Sequence, residues 1–130
     1  MLDTSPLTAA VERFADRLRA MPQSRLQQGA AAEALQLARE LSVRAQRLEE
    51  PHRAAAAREI PDEGIFVVGD QVAVAGLDLA EALRAAATAD AAEAGAAGAA
   101  AGARGTATAP SEMLDEAVRL VEQADVRATR

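Results

Sequence analysis

The segment Pro61–Leu83, PDEGIFVVGDQVAVAGLDLAEAL, carries the densest apolar residues of the chain, with three of its eight glycines and one of its two phenylalanines. How this segment folds decides the fold class. As strands, Ile65-Phe66-Val67-Val68 and Gln71-Val72-Ala73-Val74 would flank Gly69-Asp70, a two-residue hairpin turn with Gly at the first central position. As a helix, Ile65, Val68, Val72, Ala75, Leu79 and Leu83 recur at three- and four-residue spacing, with Asp70, Gln71, Asp78, Glu81 and Arg84 on the opposite side. Pro61 suits the first helical position, Asp62 and Glu63 complement the positive end of the dipole, and LDLAEALRAAA downstream is strongly helix-forming. Against the helix stand Gly64, Gly69 and Gly76, each costing about 1 kcal/mol relative to Ala in a helix interior. Five β-branched residues among the ten from Ile65 to Val74 also count against it. The helix is the stronger reading and makes the protein all-α. A hairpin over 65–74, giving an α+β fold, is the alternative.

A helix also gives the glycines a purpose. Gly69, Ala73, Gly76 and Ala80 then form a stripe of small residues beside the apolar one, along which a second helix backbone can approach closely. Such a stripe serves either internal packing or the docking of a partner, and these four residues are the candidate interaction seam.

The flanking chain reads as further helices. Ser5-Pro6 opens the first, with Ser5 as cap and Pro6 at the first helical position. Leu7, Val11, Phe14, Leu18 and Met21 mark its buried stripe, and Pro22 ends it. A second helix is predicted over Arg25–Glu50, with Ser24 as cap. Leu26, Ala30, Leu37, Leu41, Ala45 and Leu48 form its apolar stripe, and Glu40 and Arg44 make an i,i+4 pair. Its length matches the helix starting at Pro61, so the two are expected to pair antiparallel across a connection at Pro51–Glu59. After Ala85 the chain passes into Ala and Gly with no large side chain to bury, and residues 90–109 read as a disordered low-complexity linker. Pro110-Ser111 restarts a short amphipathic helix whose apolar positions include Leu114, Ala117 and Val121, the candidate docking face of the tail. The expected organisation is a three-helix bundle domain over 1–89, the linker over 90–109 and a C-terminal helix over 110–130.

Composition narrows the chemistry. Half of the 130 residues count as hydrophobic, but there is no Trp or Tyr, so the core must come from Leu, Val, Ile and Ala. There is no Cys and no Lys, and all 14 basic residues are Arg. This bias reads as translation from a high-GC, bacterial genome, and the missing Cys excludes disulfides and thiolate metal sites. No signal-peptide pattern opens the chain and no run approaches a membrane-spanning length, which points to the cytoplasm. The net charge is −6, divided as +1 over residues 1–60 and −7 over residues 61–130. An acidic second half disfavours binding to nucleic acid or an anionic membrane there.

No catalytic constellation is evident, and neither a cofactor nor a metal is expected. His52 is the single histidine and falls in a predicted loop. Asp70, Asp78 and Glu81 share a helical face that the pattern predicts to be solvated, so acid–base work is disfavoured. A ligand-binding role would need a pocket that gathers Asp70, Gln71 and Asp78 away from water. Phe14 and Phe66 both fall on apolar stripes, which leaves no aromatic to stack on bases. The sequence therefore points to a non-catalytic interaction or assembly protein, an adaptor or small regulator, that binds a protein partner or a second copy of itself as a homodimer. The alternative is a nucleic-acid-binding regulator using the Arg-bearing N-terminal half.

Overall fold

The computed structural model describes residues 2–51, 57–97 and 109–130. Among them there is no strand, and the segment from Val68 onward is helical. The protein is all-α, and the hairpin alternative over 65–74 does not form.

Helix α1 spans Ser5–Ala20. The Asp3 carboxylate accepts hydrogen bonds from the Ser5 backbone N–H at 3.0 Å and the Ser5 hydroxyl at 2.6 Å, and these bonds hold its pKa below the ordinary carboxylate value. The cap position itself is Thr4 rather than Ser5, since the Thr4 carbonyl accepts from the N–H groups of Leu7 and Thr8, both at 3.1 Å. Leu7, Val11, Phe14 and Leu18 are buried, as their spacing predicts.

The long second helix is broken near its start. A single turn, α2 (Gln23–Arg25), leads into a wide π-type turn over Leu26–Ala30, and α3 follows over Ala31–Glu49. The kink is at Gly29, whose φ of 135° and ψ of −19° lie where a β-carbon is not tolerated. Helix α4 covers Val68–Ala97 and α5 covers Pro110–Thr129. Helix α4 thus runs through the first part of the segment 90–109 read as a linker, sustained by the helix propensity of Ala, while residues 98–108 lie outside the described ones.

Helix α4 begins at Val68, not at Pro61. Ile60 precedes a proline and is biased toward extended backbone. Gly64 takes a φ of 99°, stabilised by its N–H donating to the Asp62 side chain at 2.9 Å. Residues 58–67 therefore form a strap, not a helical first turn. At roughly 3.3 Å per extended residue the strap reaches about 33 Å, enough to return along α3, which rises about 28 Å.

This return sets the topology. Leu35 of α3 shares a groove with Val68, Ser42 shares one with Ala75, and Leu48 shares one with Leu79 and Ala86. Position numbers rise together along both helices, so α3 and α4 run in the same direction and not antiparallel as expected. Helix α1 runs against α4, as Arg19 meets Asp70 at one end and Thr4 meets Arg84 at the other. Helix α5 runs against α3, with Glu116 on Arg44 and Arg127 on Glu33. Both α1 and α3 pack on α4 and α5, which closes a bundle around Phe14, Leu41, Leu79, Leu83 and Val121. The C-terminal helix is thus the fourth member of the bundle.

Candidate functional site

Of the two sets of residues singled out from the sequence, all but Ala73 are buried. Gly69, Gly76 and Ala80 are buried and Ala73 is half-buried. A β-carbon at Gly76 would fall 2.6 Å from both γ-carbons of Val11, and one at Gly69 would fall 3.2 Å from the Ala15 carbonyl oxygen. The small-residue seam is the place where α1 approaches the α4 backbone. Leu114, Ala117 and Val121 are buried too, so the tail helix docks on its own bundle.

The strap is held by side chains that bind its backbone. Gln46 donates from Nε2 to the Arg58 carbonyl at 2.9 Å and accepts the Arg58 N–H on Oε1 at 2.8 Å, as a neighbouring strand would. Arg39 donates to the Ile60 carbonyl at 2.8 Å and pairs with Glu59 at 3.0 Å. From the α4 side, Gln71 donates Nε2 to the Pro61 carbonyl at 2.9 Å, while its Oε1 is buried without a donor. None of these contacts follows from a sequence pattern in which Pro61 opens a helix.

Holding the strap down leaves one side of α4 facing solvent. Asp70, Val74, Leu77, Asp78 and Glu81 recur at four, three, one and three residues, which places them on one face, and all five are exposed. The three carboxylates share a solvated face, as the sequence suggests. Val74 and Leu77 stand among them at 57% and 52% exposure. Phe66, expected on an apolar stripe, is 74% exposed instead. It lies in the turn before α4, where the helical spacing that placed it does not apply.

Beside this face a groove of about 530 Å³ is lined by Ile60, Glu63, Val67, Gln71, Val74 and Asp78, among others. It brings Asp70, Gln71 and Asp78 to one wall but leaves both carboxylates exposed, so neither is desolvated as acid–base chemistry would require. Arg19 bonds to Asp70 at 2.7 Å, and these hydrogen bonds, foremost the one to Asp70, raise its pKa above the usual arginine value.

Four arginines of the N-terminal half, Arg17, Arg19, Arg39 and Arg44, are engaged by carboxylates. Arg17 pairs with Asp125 at 3.0 Å, Arg19 also meets Asp16 at 3.1 Å, and Arg44 bridges Glu40 and Glu116, both at 2.9 Å. Burial alone would lower the Arg44 pKa, but the bonds to Glu116 and Glu40 outweigh it and raise the value; in turn Arg44 holds Glu116 below the ordinary carboxylate range. Among the described residues no three His, Asp or Glu side chains converge as metal ligands, and no helix is long and apolar enough to cross a membrane. His52 lies outside the described residues. No protein-family model matches the chain, and no curated protein or solved structure does either.

Proposed function

We propose that the protein is a non-catalytic helical interaction module, an adaptor or small regulator that binds another protein through the outer face of α4. The observation that carries this reading is the exposure of Val74 and Leu77 side by side, with Phe66 exposed in the turn that leads into the same helix. Single exposed apolar residues are ordinary. Here, however, one of only two phenylalanines stands outside a core that holds the other, Phe14, among Leu, Val and Ala. Fully burying a Val or Leu contributes about 1.5–3 kcal/mol, and because Val74 and Leu77 are 57% and 52% exposed, roughly half of that is left for a partner covering this face to gain. The composition favours a bacterial cytoplasm as the setting. The carboxylates around Arg17, Arg19, Arg39 and Arg44 count against the nucleic-acid alternative, since a phosphate would have to displace them.

The test is affinity capture from the native host with nuclease present, using the intact chain and a Val74→Ser/Leu77→Ser variant of unchanged helix content. A stoichiometric protein retained by the first and lost from the second is the expected result. Partners that vanish with nuclease, or that bind both forms alike, would overturn the reading.

A further inference from the structure

The charge around Val74 and Leu77 says what kind of surface can cover them. Glu63, Asp78 and Glu81 are exposed beside the apolar pair or the adjoining groove. Arg19 does not neutralise the neighbourhood, because one guanidinium serves both Asp16 and Asp70. Arg84, the basic residue of α4, is turned to the Thr4 hydroxyl at 2.7 Å.

A second copy of the chain fits this face poorly. An antiparallel two-fold pairing that lays Val74 on Leu77 of the other copy also sets Asp70 against Glu81, by their equal spacing about the centre. A parallel pairing sets each acid against itself. Like charges brought together at an interface are penalised, whereas opposite charges steer and fix the complex. Resting on the reading of α4 as an interaction face, we infer that its occupant is an amphipathic helix of a different protein. An apolar ridge of that helix lies along Val74 and Leu77, and Arg or Lys residues beside the ridge reach Glu63, Asp78 and Glu81. A long basic side chain suits the adjoining groove, since its aliphatic stem can lie on Val67 and Val74 while its charge meets Glu63 and Asp78.

The probe is a displayed library of helical peptides with a fixed Leu ridge and flanking positions varied among Lys, Arg, Gln and Glu, selected on the full chain. Recovery of Lys- and Arg-flanked peptides that bind at least tenfold more tightly than their Glu-flanked counterparts is expected. Asp78→Asn/Glu81→Gln should lose that preference yet still bind through the ridge, and Val74→Ser/Leu77→Ser should lose both. Equal recovery of acidic and basic flanks, with binding still dependent on Val74 and Leu77, would overturn the charge inference and leave the interaction face standing. Peptides that bind Val74→Ser/Leu77→Ser as well as the parent chain would overturn the face itself. A concentration-dependent dimer in sedimentation, dissolved by the same variant, would identify a second copy as the occupant and overturn the inference of a foreign helix.

Discussion

A β-carbon at Gly76 would meet the γ-carbons of Val11 at 2.6 Å, and the β-branched Val11 has little rotamer freedom with which to withdraw. Gly76→Ala gains about 1 kcal/mol of helix propensity against about 1–3 kcal/mol of overpacking. We expect net destabilisation in urea titrations, and a smaller cost for the same substitution when it is made in a Val11→Ala background. This position was readable from spacing, because small residues at helical intervals mark a close approach whatever approaches. Gly29 was not. A β-carbon there would meet nothing within 4 Å, yet the φ of 135° is forbidding, so Gly29→Ala should lose about 1–3 kcal/mol to backbone strain alone. A lone glycine inside a helical pattern carries no mark that separates a tolerated residue from a kink. The two substitutions make the same chemical change, but only the loss at Gly76 should shrink when a neighbour is trimmed.

The elements are where local preference and tertiary demand part company. The stripes of α1, α3 and α5 were legible because each is a sustained run of apolar residues at three and four spacing, and those residues are buried except Met21 and Leu48 at the stripe ends, which are half-buried. The head of α4 departs from its sequence pattern because Pro61, Asp62 and Glu63 make a plausible helix start, while the backbone of Gly64 takes the chain elsewhere. The strap should therefore be the most easily lifted part of the described fold, since it is tied by polar bonds and few buried side chains. Gln46→Leu removes both bonds to Arg58, and we expect faster hydrogen exchange and proteolysis over residues 57–64 with little change in the melting temperature. The α3–α5 contact should respond to acid. Arg44 lowers the Glu116 pKa, so the pair contributes stability above the ordinary carboxylate range and loses it as pH falls through the lowered value. Glu116→Gln should melt below the parent protein at pH 7, with the gap closing below about pH 4.

At the scale of the molecule, an all-helical bundle was legible and its connectivity was not. Two helices of similar length with a nine-residue connection invite an antiparallel hairpin. The ten residues that carry the chain back, and so align α3 with α4, include seven that the sequence assigns to helix. The proposed function was the least legible, for a physical reason: interaction through an apolar face needs no distinctive group, and Val74 and Leu77 differ from core residues only in facing outward. Their partial exposure does predict that Val74→Ser/Leu77→Ser costs roughly 1 kcal/mol per site, well short of the ~2–5 kcal/mol lost on truncating a core leucine, which calorimetry would check.

The pairing of Gln46 with Arg58 has a further consequence, for descent. One side of it is an amide side chain and the other is main chain, which every residue but proline supplies in full. Among chains descended from a common ancestor, position 58 is free to drift through nineteen of the twenty amino acids while position 46 stays confined to a side chain that both donates and accepts at that reach. A contact that holds the strap in place would thus leave no correlated substitutions, and a search for co-varying pairs would pass over it.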